Sequence, residues 1–295
     1  MINYSYSVTT PIAWGGIVRT LSAFICTLII GTWSIAGSAV AGASDNGAAD
    51  NKDKLSAADI IAKHLAAAGG KDTLAKVKSR VAIGTAAKDS EAGVPMAVMS
   101  EAPNRVSAMY QFRAFNWQLT YDGSKPIVRP LLSRANSPVL QKYQEMLATG
   151  TMFNGISLYN VLSQADAGDV KLEAKGIKKV KGKPAYTVEM KRGKDKALLY
   201  FDQDTFMWVR TDYGSVQLTR EMGQLTNAIE SKDQETTCDF YVETSDFRQV
   251  DGMTLPFKLE IVATAPLLTQ KNVGTIVATI SEYKHNVPID PKMFQ

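Results

Sequence analysis

Two hydrophobic periods divide this chain. Between Ser56 and Val77 apolar residues recur at helical spacing, with Ile60, Ile61, Leu65 and Ala68 on one stripe. Ser56 followed by Asp59 has the form of a capping box, and Gly69-Gly70 stops the helix. A second short helix is expected over Lys71–Val77. From Ser79 the period becomes two. Strands are expected over Arg80–Ala86, Val94–Glu101, Arg105–Phe112 and Asn116–Asp122, separated by Gly93, Pro103-Asn104 and Asp122-Gly123. Around the fourth strand, Phe115, Trp117, Leu119 and Tyr121 fall on one face and Asn116, Gln118, Thr120 and Asp122 on the other.

Residues 125–168 break that alternation. Pro126, Pro130 and Pro138 interrupt the start, Val139–Ala148 has helical spacing, and a further helix is expected over Ser157–Ala165. Strands resume over Val170–Gly176, Ala185–Met190, Lys196–Phe201, Met207–Tyr213, Glu235–Gln249, Leu255–Thr264 and Thr275–Lys284. Asp202–Thr205 reads as a turn, and Asp251-Gly252 is the strongest hairpin signal. The pattern gives an α+β, mainly antiparallel fold of about ten to eleven strands. A sheet that wide must twist and curl. One that curls without closing is a curved open half-barrel, whose concave face the N-terminal helix and the helical insert are placed to cover.

The first 43 residues read as a leader. Arg19 is the only charge before Asp45, the run Leu21–Ile35 is apolar, and Ala39-Val40-Ala41 and Ala41-Gly42-Ala43 suit a signal peptidase. An uncleaved anchor in the inner membrane is the alternative, the run being just long enough to span. Cys26 does not fit lipidation, since Ile25 precedes it and it lies inside the apolar run. Residues 44–55 read as a polar, disordered tether and 56–295 as a single domain. The expected location is the periplasm. The net charge of the whole chain is only +4, which gives no case for nucleic acid.

Little in the sequence points to catalysis. The two histidines, His64 and His285, belong to no metal-binding pair; His64 is expected to be solvent-facing or half-buried, and His285 to bond a turn. Asp202 and Asp204 begin a calcium-loop spacing that nothing downstream completes. Cys238, alone after the leader, reads as a buried strand cysteine. The expectation is therefore no enzyme, no metal and no cofactor. The candidates for binding are apolar: Phe115, Trp117, Leu119, Tyr121, Met146, Met152, Phe153, Leu158 and Met190, as the lining of a hydrophobic cavity. Methionine adapts to varied apolar ligands. The basic run Lys175–Lys183 reads as a solvated hairpin tip, with contact to anionic headgroups as its alternative.

Several short blocks resemble a known group. Val250-Asp251-Gly252 with Leu255-Pro256-Phe257, Tyr283–Asp290, Ala58–Leu74, Leu199–Asp202 and Glu101–Asn104 are similar to bacterial exported proteins of the outer-membrane lipoprotein-sorting type. That resemblance implies a LolA/LolB-like fold, in which the concavity takes acyl chains, and a partner that is a lipid acyl chain or a lipoprotein. The family usually carries a glycine where this chain has Phe206, so the turn there is expected to differ in shape. The expected function is a monomeric, non-enzymatic carrier or sensor for an acyl chain. The alternative is an envelope scaffold that binds other envelope proteins and has a solid core.

Overall fold

The computed structural model describes residues 55–88, 92–112, 115–129, 138–158, 162, 170–218, 236–264 and 272–295. The leader, the tether and most of the expected helix over Ser157–Ala165 lie outside the described residues. Asp50–Gln295 forms one compact unit with its own hydrophobic core.

Two helices open the described chain, α1 (Ala57–Ala67) and α2 (Lys71–Ala75). The capping box is present: the Ser56 hydroxyl accepts from the Asp59 amide, and the Asp59 carboxylate accepts from the Ser56 amide. Five strands follow: β1 (Ser79–Lys88), β2 (Val94–Glu101), β3 (Arg105–Phe112), β4 (Phe115–Tyr121) and β5 (Pro126–Arg129). Next comes α3 (Pro138–Ala148). Seven more strands complete the sheet: β6 (Val170–Val180), β7 (Lys183–Arg192), β8 (Asp195–Asp202), β9 (Trp208–Leu218), β10 (Thr236–Val250), β11 (Met253–Thr264) and β12 (Asn272–His285). A 3-10 turn, Pro291–Phe294, ends the chain.

All twelve strands lie in one sheet, ordered β5-β4-β3-β2-β1-β12-β11-β10-β9-β8-β7-β6. Every neighbouring pair is antiparallel, and β5 and β6 are left as edges. The sheet is open but strongly curled. The proof is α3, which touches β4 and β5 near one edge and also β9 toward the other. A flat sheet could not bring strands so far apart in the order within reach of an eleven-residue helix. This is the expected unclosed half-barrel, with one strand more than expected.

The extra strand is β5. Prolines hid it from the periodicity, yet Pro126 is its first residue and it lies on an edge, where a missing N–H costs no ladder bond. The expected hairpins are present. Asp251 and Gly252 take φ of 50° and 78° between β10 and β11, as the tight turn requires. Lys181-Gly182 does the same between β6 and β7, so the basic run is a hairpin tip. Phe206 takes φ 56°, a conformation that favours glycine. It is held there by stacking on Tyr186, with centroids 5.6 Å apart, and by the Lys63 ammonium 5.0 Å from its ring.

The pairing registers show which residues share the concave face. Val106, Ala108 and Tyr110 of β3 lie opposite Tyr121, Leu119 and Trp117 of β4, so the expected aromatic face of β4 is continuous with the apolar face of β3. Ala82 pairs with Val98 and with Tyr283, extending that face across β2, β1 and β12. The opposite face is charged: Arg210 bonds both Asp212 and Glu243, and Lys181 pairs with Glu243. One side of the sheet therefore needs a cover and the other does not.

Candidate functional site under the helical insert

The cover is built from α1, α3 and the irregular segment Thr149–Leu158. His64 of α1 packs against Phe201 and Trp208, with centroids 5.2 and 6.3 Å away. The insert contributes Leu140, Met146, Leu147, Met152, Phe153 and Ile156, all essentially buried. Leu119, Met146, Met152, Phe153 and Met190 join one hydrophobic cluster, and Tyr121 and Leu158 pack against it half-buried. The structure thus brings together most of the expected lining. Trp117 stands apart: it stacks face to face on Tyr110 at 6.3 Å and is half-buried. Phe115 lies on the same strand face by register, and its side chain is outside the described set.

Polar ties fix the insert to the sheet. The Lys142 ammonium donates to the Tyr213 carbonyl at 3.0 Å and pairs with Glu145 at 2.6 Å. Thr151 donates to the Tyr213 hydroxyl, Asn154 Nδ2 donates to the Trp208 carbonyl, and the Leu158 amide donates to Ser100 Oγ. A further charged tie is one that the sequence reading missed. Arg80 of β1 is only 2% exposed, and its Nη1 donates to the Gly155 carbonyl at 2.8 Å. Its Nε donates to His285 Nε2 at 3.1 Å, and its other terminal nitrogen meets the Met253 sulfur at 3.4 Å. Burial pulls the guanidinium down to about 10, partly offset by Tyr283, so it is a cation at neutral pH. One signal was available: Arg80 is in phase with Ala82, an inward position of its strand.

Because Arg80 donates to His285 Nε2, the imidazole must donate through Nδ1, and Asp251 Oδ2 accepts at 2.8 Å. This is the expected turn bond of His285. The Asp251–His285–Arg80 chain has the outline of a catalytic relay, but it ends on a guanidinium, which donates hydrogen bonds and has no lone pair for attack. Cys238 is fully buried, as expected, and burial pushes its thiol up to about 12. A thiol in that state is a poor nucleophile. Among the described residues no group of three His, Cys, Asp or Glu could hold a metal ion.

His64 differs from expectation. It is 5% exposed, and its Nδ1 donates to the Phe206 carbonyl at 3.0 Å. Burial pushes its pKa down from 6.5 to about 4, with the Phe206 bond acting the other way. The helical stripe did place position 64 near Ile60 and Ile61; histidine's polarity argued wrongly for solvent. A pH test follows. The unfolded chain takes up a proton on His64 near 6.5 while the fold resists it until about 4. Stability from this group is complete above 6.5 and lost as pH falls toward 4. Relative to His64→Phe, the parent should lose about 3 kcal/mol between neutral pH and about pH 4, measured by urea unfolding. Parallel pH profiles for the two proteins would refute the assignment.

The space beneath the insert is small. The gap bounded by Val106, Leu147, Gly150, Met152, Phe153 and Ser157 does not admit a water-sized sphere. A wider depression of about 610 Å³ lies at the rim, between Lys76, Glu101 and the tail Asn286–Ile289, and is open to solvent.

The sequence matches no protein-family model and no curated protein. Solved structures similar to it include a LolA superfamily protein from Nitrosomonas europaea, at 15% identity and TM-score 0.41, covering 82% of this chain and 98% of that one. A DUF1329 family protein from Desulfovibrio piger is similar at 11% identity and TM-score 0.40, covering 81% and 97%. An outer membrane lipoprotein-sorting protein domain from Vibrio parahaemolyticus is similar at 9% identity and TM-score 0.40, covering 79% and 97%.

Proposed function

We propose that this chain is a non-enzymatic binding protein of the cell envelope that takes an acyl chain into the hollow of its sheet, the insert filling that space when no ligand is bound. One observation carries the reading. The hollow is filled by leucine, methionine, phenylalanine and isoleucine side chains on a short helix and an irregular segment, not by paired strands. Segment 149–158 has few regular backbone bonds to lose. The magnitudes allow exchange. An acyl chain of about fourteen methylenes gains roughly 11 kcal/mol on burial, at about 0.8 kcal/mol each. Re-exposing Met152, Phe153 and Ile156 costs roughly 5–9 kcal/mol. The placement in the envelope rests on the leader, residues 1–43.

The test is direct. Protein purified from cells and extracted for mass spectrometry should yield lipid or fatty acid, and emptied protein should bind a fluorescent fatty acid saturably. Protein that is always empty and does not respond to the probe would defeat the reading. The filled gap under the insert favours a second one: a solid-cored module that binds another envelope protein. In that case crosslinking in cells recovers a protein partner, and extraction recovers no lipid.

A further inference from the structure

We infer that the β6–β7 edge of the sheet is a docking surface for an anionic lipid bilayer. The proposal goes beyond acyl binding and does not depend on what fills the hollow. It starts from how the charge is distributed. Between Val170 and Lys196 there are ten basic residues and three acidic ones, whereas the whole chain has 33 and 29. The remainder of the protein is therefore slightly acidic, and one edge hairpin with its next turn carries all of the positive excess.

Structure concentrates that excess further. The register of β6 against β7 shifts between Ala174 and Gly176, and Gly176 takes φ 91°. Such a bulge re-aims the residues that follow. It places Ile177 opposite Tyr186, and Tyr186 stacks on Phe206 with centroids 5.6 Å apart. Ile177 is 58% exposed, the one large hydrophobic residue so exposed among the described residues. Lys178, Lys179 and Lys183 cluster at the same hairpin tip, Lys179 on the face of Ile177 and Lys178 and Lys183 on the other face by register; all three are exposed and have no carboxylate partner among the described residues. Lys63 of α1 joins them over the Phe206 ring. The hairpin's other carboxylate contacts are taken by Lys175, which pairs with Glu173 and Glu189, and Lys181, which pairs with Glu243 and Glu260; in the adjoining turn Asp202 Oδ1 already accepts three hydrogen bonds.

An edge hairpin with a bare apolar side chain and unpaired lysines on both of its faces suits a surface that is negative outside and oily beneath, met edge-on. Each lysine near an anionic leaflet contributes a factor of about five in affinity, which corresponds to about 1 kcal/mol. Lysines on an edge strand also discourage pairing with other strands. That role alone does not account for an exposed isoleucine among them, since an apolar edge residue promotes such pairing.

The experiment is vesicle co-sedimentation of residues 50–295, the compact unit that holds the whole described core. One set of vesicles is neutral phosphatidylcholine; the other contains about 30% phosphatidylglycerol. Binding is expected to the anionic vesicles only, and to weaken at high salt. Substituting Lys178, Lys179 and Lys183 together by glutamine should reduce the partition constant on the order of a hundredfold. Ile177→Ser should reduce it about fivefold and remove the part that survives salt. These exposed substitutions should leave the unfolding midpoint unchanged, which separates lost docking from lost folding. Equal binding to neutral vesicles, no binding to anionic vesicles at low salt, or an unaffected triple variant would each overturn the proposal. So would capture of a polyglutamate peptide by a protein that ignores both vesicles, which would make the edge a peptide site.

Discussion

Arg80→Ala should lower unfolding free energy by about 2–3 kcal/mol and loosen the insert more than any other part of the protein. The substitution leaves the Gly155 carbonyl and His285 Nε2, both bonded to the guanidinium in the parent, without their donor. A buried acceptor stripped of its partner costs about 1–3 kcal/mol. Relief from holding a cation away from water offsets part of that loss, because burial alone disfavours this charge. Arg80→Met isolates the hydrogen bonds, since methionine refills most of the volume and donates nothing. It should recover little stability. Hydrogen exchange should show faster opening at residues 151–158 than at β10 or β11 in both variants. If Arg80→Met were as stable as the parent, with unchanged exchange in that segment, Arg80 would not be what holds the insert down.

Gly84→Ala should be the most damaging single methyl group that can be added to the sheet. A Cβ at this position would lie 2.0 Å from the Thr279 carbonyl oxygen and 2.9 Å from the Ile280 Cα. Those are backbone atoms of the paired strand, so no side chain can swing away. Gly84 stands where the register between β1 and β12 shifts, and the close approach belongs to that bulge. The β1–β12 seam is also the join between the sheet's first five strands and its last seven. Overpacking typically costs about 1–3 kcal/mol, and a backbone clash at a seam should reach about 3 kcal/mol or more. The expected signature in urea is a lower midpoint, with a reduced slope if the β1–β5 portion opens separately. A midpoint within error of the parent's would mean that the two strands do not approach so closely.

These two residues also show what sequence reading can and cannot reach. Arg80 sits in a well-formed alternating strand, and its phase put it inward beside Ala82. Only its partners, contributed by residues 155, 253 and 285, explain how a charge is accommodated there. Gly84 reads in sequence as a mild weakness in a strand. Its close contact lies almost two hundred residues away on β12. His64 repeats the lesson on a helix, since the carbonyl that satisfies it belongs to the turn before β9. The binding candidates fared differently. Leu119, Met146, Met152, Phe153 and Met190 came together because apolar residues in phase must share a face, and faces in antiparallel register must adjoin. Trp117 obeyed the same phase but lies outside that cluster.

Local rules were enough to fix every strand but β5, the capping box of α1, the hairpin turn at Asp251-Gly252, and the antiparallel class. Each depends on residues a few positions apart, where propensity and pairing geometry act directly. Tertiary structure alone decided that β1 closes on β12, that β5 forms an edge despite its proline, and that the hollow is filled by the insert. Those outcomes depend on which distant surfaces exclude water from one another, and that competition is settled only when the whole sheet has curled.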